Sequence, residues 1–386
     1  MDGLRTWIEI DTDALRHNYR AFKKYVGGHC RVMAVVKSNA YGHGLMETAE
    51  TLQDAGADCF AVDSIVEALA LRKRGIMSDI LVLGHTLKGR FADAASNSIA
   101  LTIAGMADLK NLRESQLTML PKIIPLYIHI KIDTGMHRQG FSPSELPQVF
   151  EALTVLRDSG TILLDGLYTH LAAAGDPKFS EETRAQIMLF SDIADGMPEN
   201  KLWPEHVHAA ATAGALAHPE AHFDMVRIGI GLYGYWPSRT PVVVFPNSVL
   251  KPVLSWKTIV TDIKNFPKNE RIGYGFSEKL TRNSRVALLP VGYWHGYRGA
   301  LSRKAHVLIR GKRAKVLGLV SMDMMSVDVT DIPEAEPEDI ATLIGADGSE
   351  FVSAHELAHC ARTSVYEILT CINPRIRRIL VSASQS

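Results

Sequence analysis

Residues 59–83 read CFAVDSIVEALALRKRGIMSDILVL: an apolar run from Cys59 to Val62, a helical stretch from Ile65 to Arg74, and a second apolar run from Ile80 to Leu83. Short apolar runs without polar alternation suit strands covered on both faces, and a helix between two of them is the mark of a parallel crossover. The alternation continues in both directions from this unit. Before it lie Trp7 to Ile10, a helix carrying Leu15, Tyr19, Phe22 and Val26 with Asp11 as its N-cap, the run Arg31 to Val36, and a helix from Met46 to Gln53. After it come Ile99 to Ile103, Leu126 to Ile132, Leu164 to Tyr168, His206 to Ala210 and Met225 to Ile228, with helical stretches at Glu145 to Arg157 and Thr183 to Ala194. About eight strand–helix units in roughly 240 residues is the arithmetic of a parallel barrel, with an open doubly wound sheet as the alternative. The expected fold class is therefore α/β: an N-terminal (β/α)8 TIM-type barrel over residues 1–242, with Trp7 to Ile10 as its first strand.

Beyond Pro246 the texture changes. Strands are expected at Val253 to Ile263, Val286 to Val291, His306 to Ile309, Lys315 to Val320 and Met325 to Val329, with helices only near Ala354 to Cys360 and Val365 to Leu369. This predicts a C-terminal, mostly-β domain over residues 243–386.

A chain of 386 residues can bury a sizeable core, and Lys+Arg and Asp+Glu both number 42, so the formal charge is zero. No basic field favours nucleic acid or an anionic membrane, and small-molecule chemistry is the expectation. No stretch reaches membrane-spanning length, Met1 to Trp7 has no signal-like apolar run, and Cys30, Cys59, Cys360 and Cys371 form no CxxC pair. A cytoplasmic protein with reduced thiols is expected.

The chemistry shows first in Val35-Val36-Lys37-Ser38-Asn39-Ala40-Tyr41-Gly42-His43-Gly44, where a strand of buried type ends in a lysine and a glycine-punctuated polar loop. Barrel active sites sit at the C-terminal ends of strands. By position alone Lys37 suits an amine that adds to a carbonyl, or a strand-end lysine that reaches solvent. His206 and His208 share a strand face but have no third ligand cluster beside them, so no metal site is expected.

Lys37 to Gly44 closely resembles the cofactor-lysine signature of the alanine racemase family, pyridoxal-phosphate enzymes with a (β/α)8 barrel and a β-rich C-terminal domain. Further matches follow in the family's order: Ile8 to Asp11 with Ala14 to Asn18, Lys131 to Phe141, Leu167 to His170, Val226 to Gly234, Arg271 to Gly275, Gly292 to Tyr297, Ser321 to Asp323 and Tyr366 to Leu369. The resemblance implies that Lys37 carries pyridoxal 5'-phosphate as a Schiff base and then serves as one of two acid–base groups. It implies that Tyr41, Thr212, Gly229, Ile230 and Tyr366 contact the cofactor phosphate, Arg138 its phenolic oxygen, His170 the pyridine ring and Arg227 the pyridine nitrogen. An arginine keeps its proton, so the nitrogen stays unprotonated and the electron sink is weak, which suits plain α-proton exchange. Tyr274 is implied as the second base on the opposite face of the substrate, supplied by the other subunit of a homodimer. Arg138, Tyr293, Met322 and Asp323 are implied to lie near the amino-acid substrate, and Lys131 matches a lysine that is carbamylated in many relatives. The function implied is interconversion of L- and D-alanine for a bacterial cell wall.

Three positions depart from the family pattern. Ala211 stands where an asparagine is usual, His295 where an aspartate is common, and Leu319 where an arginine is frequent. These leave open a racemase of serine or another small amino acid, and a non-catalytic cofactor-binding barrel or a decarboxylase as rival readings.

Overall fold

The computed structural model describes residues 3–115, 124–237 and 250–382. The expected domain boundary at residues 242 and 243, and Pro246, lie outside the described residues. The chain divides into two compact units, one formed by Ala14–Ser38 and Thr48–Lys251, the other by Met1–Asp13, Asn39–Glu47 and Pro252–Ser386.

Strand β1 (Thr6–Asp11) belongs to the second unit. The first unit holds β2 (Arg31–Val35), β3 (Cys59–Val62), β4 (Asp79–Val82), β5 (Ile99–Ile103), β6 (Leu126–Lys131), β7 (Ile162–Tyr168), β8 (His206–His208) and β9 (Met225–Ile228). They pair in parallel in the order β8-β7-β6-β5-β4-β3-β2-β9, with Met33 opposite Cys59 and Ala34 opposite Ile228. The ring closes where Ala211 bridges Arg227, whose N–H donates to the Ala210 carbonyl at 2.9 Å. β3 and β5 are buried along their whole length, as apolar strands between an inner core and an outer layer of helices must be. The helix Ile65–Lys73 starts where the Ser64 hydroxyl accepts the Glu67 N–H at 3.3 Å.

The second unit is built on β10 (Leu254–Ile259), β11 (Asp262–Phe266), β14 (Ser284–Leu289), β15 (His306–Ile309), β16 (Lys312–Leu317), β17 (Met325–Asp328), β18 (Ile340–Asp347) and β20 (Arg378–Val381), with β12 (Arg271–Ile272) and β13 (Glu278–Lys279) forming a small hairpin and β19 (Glu350–Val352) pairing with β18. The main order is β11-β14-β17-β16-β15-β18-β10-β1-β20. β1 lies antiparallel to β10 and parallel to β20. The expectation that Trp7 to Ile10 opens the barrel is therefore corrected. Ile8 and Ile10 are buried on one face, while on the other Glu9 accepts the Trp7 indole N–H at 3.0 Å and pairs with Lys257 on β10 at 2.7 Å, so the polar residue in the middle of the strand is spent on its neighbour in this sheet and not on a barrel wall. Without β1, the barrel runs in sequence contain eight strands. β18 was not foreseen, although Ile340 to Ile344 is an apolar strand, and the single run expected over Val253 to Ile263 is two strands, β10 and β11. The late helices Ala354–Ala361 and Val365–Thr370 start at Ser353 and Ser364, whose side chains accept the N–H of Glu356 and Glu367.

Asn18, on the helix Thr12–Val26, is buried in the barrel unit. Its amide donates to the carbonyls of Leu232 at 2.9 Å and Lys251 at 2.7 Å, and its oxygen accepts the Lys251 N–H at 2.8 Å. Asn18→Leu should cost on the order of 3 kcal/mol, because the main-chain partners lose their bonds inside the protein. Urea unfolding checks this; a variant within about 0.5 kcal/mol of the parent would show that those bonds are dispensable.

Candidate active site

The site is best built from the C-terminal ends of the barrel strands. Two residues past β2, the Lys37 ammonium pairs with Asp63 Oδ1 at 3.3 Å, just past the end of β3. Glu67 fastens this corner, accepting the N–H of Ser38 at 2.8 Å and of Asp63 at 2.9 Å. The chain after Lys37 is not the irregular loop expected from its glycines. Ser38, Asn39, Ala40 and Tyr41 all have φ between 52° and 56°, a turn of left-handed helix. Such a conformation costs an L-residue roughly 1–2 kcal/mol, so local bonds must over-determine it. Asn39 Oδ1 accepts the Leu45 N–H at 2.9 Å, the N–H groups of Gly42 and Gly44 both reach the Asn39 carbonyl at 3.0 Å, and His43 Nδ1 lies 3.1 Å from the Ala40 carbonyl. Gly42 ends the turn at φ +87°, and a Cβ there would fall 2.1 Å from the Leu369 carbonyl oxygen. In the same unit the Tyr41 ring lies 6.1 Å from that of Tyr366, and burial pushes the Tyr366 phenol up to about 12.

β6 ends in Lys131, whose ammonium donates to Gln139 Oε1 at 3.0 Å and lies 5.4 Å from the centre of the Tyr168 ring. Burial, aided by the cations Arg138, Arg227 and Lys37, lowers its amine to about 8. Asp133 shapes the next turn by accepting the N–H groups of Gly135, Met136 and His137 at 2.9 to 3.0 Å. Burial opposes ionisation of that carboxyl, but the three N–H donors outweigh it and hold it below its ordinary value. His170 follows β7, and burial together with Arg227, Arg138, Lys131 and Lys37 brings its imidazole down to about 3, so it is neutral at any working pH.

Arg227, on β9, is buried, and desolvation lowers it to about 10. It donates to His208 Nδ1 at 2.7 Å and to the carbonyls of Thr169 at 2.7 Å and Ala209 at 2.8 Å, and lies 3.3 Å from His170 Nδ1. Behind it His208 stacks on Tyr168 with ring centres 4.8 Å apart and planes 2° from parallel. Gly229 and Thr212 meet, the glycine N–H donating to the threonine hydroxyl oxygen at 3.1 Å, and Ile230 opens the turn Ile230–Tyr233. The barrel unit thus brings together Lys37, Lys131, Arg138, His170 and Arg227, with Thr212 beside Gly229. Among the described residues the four cations Lys37, Lys131, Arg138 and Arg227 outnumber the carboxylates placed beside them, Asp63, Glu67 and Asp133, and this surplus suits an anionic ligand with a phosphate or phenolate.

In the second unit Tyr274 stands between β12 and β13, 73% exposed. Tyr293 and Trp294 hang their N–H groups on the carbonyls of Ser321 and Met322 at 3.0 and 2.9 Å, which brings Tyr293 to the Ser321-Met322-Asp323 segment. His295 Nδ1 accepts the Gly292 N–H at 3.2 Å and so closes its own turn. Burial lowers the His295 imidazole. Leu319 is exposed, and Ala211 makes the main-chain bridge to Arg227.

The sequence reading missed His129 and Asp165. Asp165 Oδ2 lies 2.8 Å from His129 Nε2, and His129 Nδ1 lies 2.9 Å from His208 Nε2. The signal was there in the period of two that puts His129 on the same side of β6 as Lys131, and His206 on the same side of β8 as His208. That histidine pair is divided between partners, His206 lying 2.7 Å from Arg31 and His208 joining Arg227 and His129.

A parallel barrel with a lysine among cations at its strand ends, followed by a separate mostly-β unit, is the build of the barrel racemases, which are isomerases. The chain belongs to the alanine racemase family: the family's N-terminal domain matches residues 10–237 and its C-terminal domain residues 253–380. It is 38% identical over 381 residues to the alanine racemase of Symbiobacterium thermophilum, covering 98% of each chain, and 37% identical to that of Methylacidiphilum infernorum, covering 97% of this chain and 92% of the relative. Among solved structures it is similar to the alanine racemase of Streptomyces coelicolor A3(2), with a TM-score of 0.90, 30% identity and 98% of both chains covered. It is also similar to the alanine racemase of Bacillus anthracis with bound L-Ala-P, with a TM-score of 0.88, 33% identity, and 98% and 95% covered. Among the described residues no helix is long and apolar enough to cross a membrane.

A lysine that titrates near 8 offers more neutral amine as pH rises through that value. Lys131 should therefore take up ¹³C-labelled carbon dioxide as a carbamate, increasingly between pH 7 and 9, seen as a carbonyl ¹³C resonance absent from Lys131→Met. A resonance of equal strength in that variant would place the reactive amine elsewhere.

Proposed function

We propose that this protein interconverts L-alanine and D-alanine with pyridoxal 5'-phosphate, using Lys37 and Tyr274 as its two bases. The observation that carries the reading is the surplus of cations around Lys37 and Arg227, in a chain whose whole length resembles alanine racemases. Lys37 would hold the cofactor covalently until the amino group of the incoming substrate takes its place and frees the lysine amine; Arg138 would meet the phenolic oxygen, Arg227 the pyridine nitrogen, His170 the ring, and Tyr41, Thr212, Gly229, Ile230 and Tyr366 the phosphate. When bound, the cofactor withdraws electron density from the substrate's α-carbon so that the α-proton becomes removable.

The chain's own groups do the rest. Racemisation takes a proton from one face of a planar carbon and returns one to the other, so two bases on opposite faces are the simplest machinery. Lys37 Nζ moves the proton on one face and the Tyr274 phenolic oxygen on the other. Arg227, donor-only and charged, would hold the ring nitrogen without giving it a proton, so that electron withdrawal would stay modest and transamination would be disfavoured. Tyr293, Met322 and Asp323, with Arg138, hold the amino acid. Tyr274 serves from a second copy of the chain in a homodimer. The exposed Tyr274, Tyr293, Trp294, Leu319 and Met322 support such an interface, since Tyr293 and Trp294 are bonded to the Ser321–Met322 segment and Gly273, next to Tyr274, lies beside Gly318 and Leu319. A cytoplasmic protein that supplies D-alanine for peptidoglycan is the matching setting, and all four cysteines are free, as in a reducing compartment.

Leu319 and His295, in place of the usual arginine and aspartate, favour a second reading in which serine is taken as well. Incubation of the purified protein and cofactor with L-alanine or L-serine, followed by chiral analysis, distinguishes the two. D-Alanine formed faster supports alanine as the substrate, faster D-serine transfers the specificity, and no D-amino acid from either overturns the racemase reading.

Lys37→Ala should lose the long-wavelength absorbance of bound cofactor together with activity. Tyr274→Phe should keep that absorbance while removal of the α-proton from L-alanine slows by about 10²–10⁴-fold, the usual contribution of a positioned acid or base. Exchange of the α-hydrogen in D₂O measures it, and an unchanged rate from the L side would sink the assignment of Tyr274.

A further inference from the structure

A charge removed from water needs an opposite charge or a dense set of acceptors. Arg227 is buried, and its partners are the His208 ring, the carbonyls of Thr169 and Ala209, and the His170 ring; among the described residues none is a carboxylate. A continuous chain of contacts leads from it to an anion, from Arg227 to His208 at 2.7 Å, His208 to His129 at 2.9 Å, and His129 to Asp165 at 2.8 Å.

The two ends fix the direction of every bond. A guanidinium can only donate, so His208 Nδ1 accepts and its proton sits on Nε2. That N–H donates to His129 Nδ1, which leaves the His129 proton on Nε2, and this second N–H donates to the Asp165 carboxylate. Both imidazoles are neutral and of one tautomer, and the chain polarises head to tail from cation to anion. The surroundings are built for it. A Cβ on Gly166 would fall 2.1 Å from His129 Nδ1, so only glycine leaves room for the ring, and His208 is held flat against Tyr168. The Tyr168 hydroxyl is in turn fixed 2.9 Å from the Thr102 hydroxyl.

We propose that Asp165 is the remote counter-charge of Arg227, coupled to it through His129 and His208, and that these three are positioning residues for the arginine. The inference rests on the proposed role of Arg227 toward the cofactor's pyridine nitrogen and adds how that arginine stays charged and aimed. A carboxylate in direct contact would occupy guanidinium donors and bring a negative charge up to the ring. Compensation through two imidazoles consumes a single donor, the one to His208, and keeps the carboxylate two rings away from the guanidinium.

Two measurements test this, and neither uses the cofactor, so its failure and the failure of the racemase reading are told apart. In ¹⁵N-histidine-labelled full-length protein, the signals of His129 and His208 should each show a single protonated nitrogen, Nε2, at neutral pH. A proton on Nδ1 of either ring, or on both nitrogens, overturns the directed chain, and this requires no variant to fold. The second is a double-mutant cycle in urea with Asp165→Asn, which keeps an acceptor for His129 but removes the charge, and Arg227→Met. Asp165→Asn should lower stability in the parent and by less than half as much beside Arg227→Met, because residues that do not touch couple only through shared partners. Equal losses in the two backgrounds would show that Asp165 merely supports its strand, and the remote pairing would fall.

Discussion

A guanidinium held inside a parallel barrel is the demand that the upper part of this unit answers. Arg227 sits on β9, the strand whose Ala211 bridge closes the ring, so its position is fixed by the same contact that completes the fold. Desolvation of that one cation explains the company it keeps: strand-end carbonyls turned inward, stacked rings of Tyr168 and His208, and histidines held neutral. It also sets the character of its neighbours. Burial among like charges makes Lys131 a weak base and keeps His170 uncharged, because a proton added to either would be buried beside the cations already there.

Lys37 is held by different means. Its ammonium is balanced at the rim by Asp63, while the chain behind it pays a conformational cost in four successive left-handed residues. Such a turn cannot be chosen by local preference, and it persists because Gly42 and the carbonyls of Asn39, Ala40 and Tyr41 are tied into one bonded knot. Strain of this kind gathers where a group must point one way.

How far the letters could be read depended on the kind of pattern involved. Strands buried on both faces announce themselves by uninterrupted apolar runs, as β3 and β5 do, and the alternation with helices carried that reading on to the more polar β6 to β9, while the motifs around Lys37, Arg138 and Arg227 pointed to the rim of the barrel. β1 was misplaced because position along the chain was given more weight than Glu9, the polar residue in its middle. The left-handed turn could not be seen, since Ser38, Asn39, Ala40 and Tyr41 do not demand positive φ; only the assembled knot does. Asp165 and His129 escaped notice because each is an unremarkable strand residue until the neighbouring strand brings it a partner. Direction and charge balance in a buried chain of bonds are properties of several strands at once, and no window along one segment contains them.

The seat of β1 between β10 and β20 has a bearing on how the molecule comes into being. As the ribosome delivers the chain, β1 cannot find its sheet until about 250 more residues have followed for one neighbour and about 370 for the other. The barrel strands can all be laid down in that interval, so the order of synthesis favours a finished barrel with its leading segment still waiting. Such a long-range closure is slow in any case. Fragments that end before the last strand would carry an apolar leading edge, a handle for chaperones and for aggregation alike.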